Sequence, residues 1–342
     1  MVIVSAPGKI HLIGEHSVVY GEPAILAAIG RRVYVKAERG EYNRVIDRTL
    51  DREETFSVKD ALETADKLDA LWKEGNEKND FSELFKFFKK NYLKSVVGKI
   101  LQLLKIKGGV KLAVKSEMMI GSGMGSSAAF SVASTHAIAE VYGKELPFEK
   151  INEIAYEIEK FAHGKPSGGD NSACCFGGLI WFKKGEEGKP PTIKSLKEEV
   201  PHKLEGFVLV HTGKPEKTTG ELIQHVRELG DSFRSERVVA LGYATKKMLE
   251  ALKAKDVEKV KELMNLAQSK LAELGVSTER IDRIAEKVRD MGGAAKLCGA
   301  GGGGIMLCWH RDKDKLIKML KKLGEEPIET DLGVDGVRVE TG

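Results

Sequence analysis

The sequence has 342 residues, of which 42% are hydrophobic and 31% are charged, which indicates a globular protein with a substantial core and excludes a disordered or fibrous chain. Its 55 basic and 51 acidic residues are intermixed and give a formal net charge of +4, which argues against a nucleic-acid partner. No apolar run approaches the roughly 18 residues of a membrane span, and the apolar start at residues 2–4 is too short for a signal peptide.

The four cysteines show no metal-ligand spacing such as C-x-x-C. Cys174 and Cys175 are adjacent, and Cys298 and Cys308 flank a glycine run. We therefore expect reduced thiols and a cytoplasmic protein with no membrane partner.

The first third of the chain begins with strands and continues into a charged stretch. Residues 2–5 and 24–38 carry short runs of Val, Ile and Ala bounded by Gly and Pro, which predicts β-structure. Residues 38–105 are highly charged, and an amphipathic helical pattern lies near 92–104. We expect surface loops and helices in that stretch.

A strand, a glycine loop and a helix follow in that order. Residues 110–115 alternate like a strand, and Ser126 to Tyr142 carry Ala, Val and Ile at helical spacing. Pro147 is suited to the first position of the next helix, which runs through residues 151–158 toward Gly164.

The lysine-rich, proline-containing stretch 183–201 is the predicted domain boundary, which gives an N-terminal domain over 1–195 and a C-terminal domain over 196–342. The second half has a strand, three helices and a last apolar strand, predicted at 207–211, 236–253, 256–274, 278–291 and 305–309. Both halves of the chain are therefore predicted to contain strands and helices.

The segment 121–127 predicts a phosphate-binding loop. Its three glycines stand immediately before a helix, so backbone amides and the positive end of the helix can face an anion. The candidate residues are Gly121, Ser122, Gly123, Met124, Gly125, Ser126 and Ser127. The segment is not a Walker A motif, because no Lys precedes Ser126 or Ser127. The alternative reading is a tight turn.

A second glycine segment, 299–304, formally fits G-x-G-x-x-G. An apolar, strand-like run follows it where a dinucleotide-binding fingerprint requires a helix, so we discount a dinucleotide site. Close backbone packing is the alternative reading.

Phosphorylation of an alcohol needs a carboxylate beside the hydroxyl and a cation near the transferring oxygens. Asp170 lies in a Gly- and Pro-containing stretch whose turns could hold it in a cleft, although a loop Asp is often only a turn former. Glu159 falls at the margin of an apolar helix face, or is an exposed flanking charge. Lys9 could steady phosphate charge or be a surface lysine, and Ser127 could ligate Mg²⁺ or only cap its helix.

Taken together, these segments resemble the three motifs of the GHMP kinases, in the same order over nearly the whole chain. The motifs lie at residues 7–24, 121–129 and 296–304. Within that superfamily, Gly14-Glu-His-Ser-Val-Val-Tyr-Gly21 and His163-Gly-Lys-Pro-Ser-Gly-Gly-Asp-Asn171 resemble the mevalonate kinase branch.

The resemblance implies a two-domain fold and a role for each matched residue. The N-terminal domain would resemble ribosomal protein S5 domain 2, and the C-terminal domain would be ferredoxin-like. Asp170 would be the catalytic base and Lys9 the active-site lysine, with Ser127 and Glu159 on Mg²⁺. Gly301 of the third motif would contact the nucleotide. Glu15 and His16 would line the acceptor pocket, and Thr218 would bind substrate by approaching the phosphate-transfer region. The fold implied is α/β (α+β), with residues 1–195 as its ATP-binding domain.

The reaction implied is ATP- and Mg²⁺-dependent phosphorylation of the C5 hydroxyl of (R)-mevalonate, by an enzyme that is commonly a homodimer. Another GHMP kinase, such as a phosphomevalonate kinase, and a non-catalytic nucleotide-binding protein are the alternatives. Two departures from the family pattern are Ser122, where Ala is common, and Ile120, where Pro is frequent. Residues 40–110 match poorly, so the resemblance does not assign the adenine pocket.

Overall fold

The computed structural model describes residues 1–119, 121–186 and 189–341, so Ile120 lies outside the described residues. Over these residues the chain forms two sheets with helices packed on them. The strands are β1 Val2–Ile13, β2 Pro23–Gly40, β3 Asn43–Asp47, β4 Arg52–Phe56, β5 Gly109–Ser116, β6 Leu179–Lys183, β7 Thr192–Ser195, β8 Phe207–His211, β9 Ala294–Leu297, β10 Ile305–Trp309, β11 Pro327–Glu329 and β12 Arg338–Val339. The α-helices are α1 Val58–Lys78, α2 Ser82–Lys90, α3 Tyr92–Leu103, α4 Ser126–Val141, α5 Phe148–His163, α6 Gly169–Phe176, α7 Thr219–Glu228, α8 Asp231–Ala254, α9 Val257–Glu273, α10 Glu279–Asp290 and α11 Lys313–Lys322.

The larger sheet is built on the long antiparallel pair β1 and β2. Its order is β12-β1-β2-β5-β3-β4, with β6 also paired to β2 and β7 to β6. β3 and β5 pair in parallel, and the other neighbours are antiparallel. This part of the chain is therefore a mixed sheet, as the α/β prediction requires.

Helix α4 lies against β1 and β2 and is covered by α3, α5 and α6. Every residue from Ala128 to Ala139 is buried. A helix that is buried on all sides needs small or apolar residues all round, and the sequence supplies Ala, Ser and Val there. The N-terminus of α4 is thereby fixed beside the end of β1.

The smaller sheet has the antiparallel order β11-β8-β10-β9. Counted from β8, this is the order 4-1-3-2, with helices between the first and second strands and between the third and fourth. It is the ferredoxin-like arrangement that the sequence predicts for this half. The loop between β9 and β10 contains the second glycine segment.

The last residues return to the larger sheet. β12 pairs with β1, and the buried guanidinium of Arg32 donates hydrogen bonds to the carbonyl oxygens of Asp335 and Gly336. The predicted boundary at residue 195 falls between strands of different sheets, but the end of the second segment completes the first sheet. The division into domains stays a prediction.

The structure differs from the sequence predictions in two places that bear on the site. Residues 169–176, predicted as part of a loop, form α6, so Asp170 lies in the first turn of a helix. The charged stretch 38–105 contains the β3–β4 hairpin as well as helices. Across the described residues, none of the helices combines the length and apolar character that crossing a bilayer requires.

Candidate active site

A cavity of about 1110 Å³ opens between the two sheets. Its walls come from β1, the phosphate-loop candidate 121–127, α5, α6 and the 299–304 loop. The predicted site residues on its lining are Lys9, Glu15, His16, Gly121, Ser122, Gly123, Gly125, Ser126, Ser127, Glu159, Asp170 and Gly301.

The phosphate-loop candidate faces this cavity with backbone and not with long side chains. Gly121, Gly123 and Gly125 have φ values of +71°, +81° and +72°, a region in which glycine alone is unstrained. The hydroxyl of Ser122 donates to the carbonyl oxygen of Met119 at 2.7 Å. The Met124 side chain is buried in the core, so only its backbone can serve a ligand. Gly125 is the N-cap of α4, so the loop ends on a helix N-terminus.

Lys9 is fixed to this loop from the side of β1. Its backbone N–H donates to the Met124 carbonyl oxygen at 2.8 Å. A Cβ on Gly125 would stand 2.9 Å from Cγ of Lys9, so glycine is required there for the lysine stem to pass. The Lys9 Nζ atom then lies 2.9 Å from Oδ1 of Asp170, and the two side chains are 7% and 39% exposed.

The charges around Asp170 keep its carboxylate ionised. Burial opposes ionisation, but the charge of Lys9 and the hydrogen bond from Lys9 outweigh it and lower the pKa of Asp170 below its ordinary value. Burial and then Lys9 lower the pKa of His11 to about 3, so that imidazole is neutral. An ionised carboxylate beside a lysine is an arrangement that can orient a hydroxyl and accept its proton.

Ser127 and Glu159 meet on the other side of the loop. The Ser127 hydroxyl donates to Oε1 of the buried Glu159 at 2.9 Å, and Nε2 of His163 lies 3.4 Å from Oε2. The hydrogen-bonding contact between His163 and Glu159 raises the pKa of the His163 imidazole. Burial, followed by the charge of Glu159, raises the pKa of the nearby Tyr92.

The oxygen donors of Ser127 and Glu159 fit Mg²⁺. Among the residues that the structure describes, no group of three or more His, Cys, Asp and Glu is placed to hold a metal ion. Mg²⁺ does not need one, because in kinases it takes one or two protein oxygens and completes its shell with phosphate and water. A hydroxyl and a carboxylate 2.9 Å apart beside a phosphate loop suit that role.

Glu15 and His16 are on the cavity wall but are already engaged. Glu15 forms a buried ion pair with Lys296 of β9, and both side chains are 0% exposed. Nε2 of His16 lies 2.8 Å from the carbonyl oxygen of Ala300. Both residues therefore join the end of β1 to the second glycine segment.

Thr218 is beside the cavity but is not among its lining residues. It is exposed and caps α7 in a capping box with Glu221, so its hydroxyl is used locally and does not line the cavity. Its neighbours Lys217 and Thr219 do line it.

The second glycine segment packs closely on both sides. A Cβ on Gly301 would collide with the carbonyl oxygen of Val276, and a Cβ on Gly304 would lie 4.0 Å from the carbonyl oxygen of Ser122. The two glycine segments therefore lie against each other, and the predicted close backbone packing explains Gly301 as well as a ligand would.

Part of the cavity wall comes from the segment that the sequence could not assign. Asp47, Thr49, Leu50, Phe85 and Tyr92 are among its lining residues. The ring of Tyr92 packs against Phe88 and Phe130, with centroids 5.4 Å and 5.7 Å away. This wall is partly aromatic, which suits a planar ring system.

His11 and Tyr92 line the cavity, and Lys296 is buried behind the cavity wall as the partner of Glu15. The sequence analysis gave none of these three residues a role. His11 could have been found, because residues two apart on a strand share a face and Lys9 is its neighbour on that face. Nothing local marks Lys296, whose partner is 281 positions away.

Comparison with known proteins agrees with this geometry. A family model for the GHMP kinases N terminal domain matches residues 91–178, and one for the GHMP kinases C terminal matches residues 248–329. The chain belongs to the GHMP kinase family, and it is a kinase with the two-domain α/β fold of that family.

Within the family, several proteins that are similar over nearly the whole chain are mevalonate kinases. The mevalonate kinase of Thermococcus sibiricus is 31% identical over 354 residues, which covers 99% of this chain and 98% of the relative. The crystal structure of the Methanococcus jannaschii mevalonate kinase superposes with a TM-score of 0.80 at 26% identity, covering 97% of this chain and 98% of that one. The L. major mevalonate kinase in complex with R-mevalonate shares the fold, with a TM-score of 0.73 at 22% identity over 97% and 96% of the two chains.

Proposed function

We propose that this enzyme transfers the γ-phosphoryl group of ATP to the C5 hydroxyl of (R)-mevalonate. The observation that carries the proposal is the Lys9–Asp170 ion pair facing a phosphate loop, in a chain that aligns over its full length with mevalonate kinases. The phosphomevalonate kinase alternative has less support, because the full-length relatives are named for mevalonate.

ATP would lie along the cavity with its phosphates on residues 121–127 and its base against the partly aromatic wall. The amides of the loop and the N-terminus of α4 supply partial positive charge for the phosphates. Tyr92, Phe88 and Leu50 offer apolar faces for the base.

Asp170 would orient the acceptor hydroxyl and take its proton as the oxygen attacks phosphorus. Lys9 would hold Asp170 in place and offset negative charge on the reacting oxygens. Ser127 and Glu159 would hold Mg²⁺, which when bound neutralises phosphate charge. Most of the catalysis then comes from positioning and electrostatics, as phosphoryl transfer requires.

An ADP-release assay tests the proposal with mevalonate, phosphomevalonate, galactose and homoserine as acceptors. Turnover should depend on mevalonate and exceed that with each other acceptor by at least about a hundredfold. A higher turnover with another acceptor would make that compound the proposed substrate, and the chain would still be a kinase. Nucleotide binding without turnover on any of the four would contradict the proposal itself. The homodimer implied by the resemblance stays a prediction for sedimentation analysis.

A further inference from the structure

We infer that Glu15 and Lys296, together with His16 and Ala300, form a latch that holds the 299–304 loop in register with the phosphate loop. Glu15 and Lys296 are then positioning residues of the kinase reaction and not acceptor ligands. The inference rests on the proposed function in one respect, because it assigns nucleotide phosphates to residues 121–127.

The latch joins the two sheets at a buried point. Glu15 follows β1, and Lys296 lies on β9 of the smaller sheet. The Lys296 ammonium donates to a Glu15 carboxylate oxygen and, at 2.7 Å, to the carbonyl oxygen of Leu297. Only Cys298 stands between Leu297 and the glycine segment, so the ammonium fixes where that loop leaves the sheet.

His16 provides the second contact. Its φ of +58° lies in a region that costs a side-chain-bearing residue free energy, and its ring is buried. The bond between Nε2 and the Ala300 carbonyl oxygen, at 2.8 Å, holds the ring in that place. The adjacent residues Glu15 and His16 thus contact Lys296, just before the 299–304 loop, and Ala300 within it.

These contacts form a closed series of linked segments around the proposed phosphate site. The backbone of Lys9 binds the phosphate loop at Met124, β1 continues to Glu15, and the latch leads to the 299–304 loop. That loop returns to the phosphate loop where Gly304 lies beside Ser122. A shift at the latch would therefore change the spacing of the two glycine segments.

The buried Glu15–Lys296 ion pair is expected to contribute little net stability, which points to a positioning role. Burying both charges is costly, and removal of either partner leaves an uncompensated charge. The second carboxylate oxygen of Glu15, Oε2, is buried without a protein hydrogen-bond partner. Replacing both partners with neutral groups should therefore restore stability but not register.

The experiment compares Glu15→Gln, Lys296→Met and the double variant in the full chain. The measurements are the melting temperature, the Kd of a non-hydrolysable ATP analogue without acceptor, and kcat with mevalonate. Each single variant should have a lower melting temperature than the wild type. The double variant should regain the melting temperature of the wild type, while its Kd stays raised and its kcat stays lowered by about tenfold or more. Wild-type Kd and kcat in the double variant would overturn the latch.

A matched pair controls for the loss of a buried ion pair. Lys99 is buried between α1 and α3, away from the cavity, and its Nζ lies 2.6 Å from Oδ1 of Asp69. Lys99→Met with Asp69→Asn should leave Kd and kcat unchanged. His16→Gly gives an independent arm, because glycine tolerates the positive φ while the imidazole and its bond to Ala300 are removed. It should raise Kd, and an unchanged Kd would count against the latch even if the double variant did not fold. Because Kd is measured without acceptor, a wrong acceptor assignment would leave this test intact.

Discussion

The Nζ atom of Lys9 and the Oδ1 atom of Asp170 lie 2.9 Å apart, so the first strand and the first turn of α6 meet in an ion pair at the cavity wall. If Asp170 accepts the hydroxyl proton, Asp170→Asn should lower kcat about a thousandfold, roughly 4 kcal/mol of barrier, with little change in the Kd of the ATP analogue. Asp69→Asn is the control. A near-normal kcat in Asp170→Asn would remove the residue from the mechanism.

The same ion pair predicts the acid side of the pH–rate profile. Because the pKa of Asp170 is lowered, the wild type should keep its kcat until the pH falls below the usual carboxylate range. Lys9→Met removes the main charge that opposes burial, so the pKa should rise and the acid limb should move to higher pH by at least about one unit. Stability has the same sign: the contribution of Asp170 is present above its unfolded-state pKa and is lost as the pH falls through its folded-state pKa. Profiles of kcat relative to each maximum test this, and coincident limbs would contradict it.

The two glycines that flank α4 should respond differently to alanine. Both have a left-handed backbone, with φ of +72° at Gly125 and +67° at Gly143, so each substitution should cost about 1 kcal/mol of stability. Only at Gly125 would the added Cβ also press on Lys9. Gly125→Ala should therefore lower kcat at least tenfold, whereas Gly143→Ala should keep it. Equal kcat values would show that the passage of Lys9 does not depend on Gly125.

Removing the proposed metal carboxylate should change the magnesium requirement. Glu159→Gln leaves a neutral amide beside Ser127, so the Mg²⁺ concentration for half-maximal rate should rise at least tenfold, and EDTA should abolish wild-type activity. Glu157→Gln is the control, because this residue of the same helix pairs with Lys160. An unchanged magnesium requirement in Glu159→Gln would argue against Glu159 as a ligand.

Arg32 should matter for stability and not for chemistry. Its buried guanidinium donates to Ser5 Oγ at 2.6 Å and to the backbone of the last segment. Arg32→Ala should lower the free energy of unfolding by about 2–3 kcal/mol and open residues 331–341 to proteolysis, with kcat unchanged at low temperature. The neighbouring Arg31 is partly exposed and gives the control. The free energy of unfolding of Arg31→Ala should stay within about half a kcal/mol of the wild-type value.

The sequence predicted the parts of the fold whose signals are long and periodic. The helices at 126–141 and 148–163 were within a residue or two of their predicted bounds, because apolar spacing and flanking Gly or Pro agree there. The helix carrying Asp170 was missed, since a short segment after three glycines and a proline has the composition of a loop. The comparisons confirm the family and the kinase fold, whereas the site roles stay predictions.

Contacts between distant segments could not be predicted in the same way. The Lys9–Asp170 and Glu15–Lys296 pairs form only when the sheets and helices are assembled, and a buried lysine on a four-residue strand leaves no local pattern. The sequence resemblance suggested Glu15 and His16 as acceptor contacts. Their hydrogen bonds to Lys296 and Ala300 depend on a register that only the structure gives.

Helix α4 is enclosed on every side from Ala128 to Ala139, and its small side chains leave no clearance for it to roll or slide. The N-terminal end of the helix, which we propose binds the phosphates, is consequently a fixed platform. Opening and closing around the nucleotide would then come from the more exposed walls, namely α2 and residues 215–219. Substitutions that alter the rate of product release should therefore fall in those walls and not in the platform.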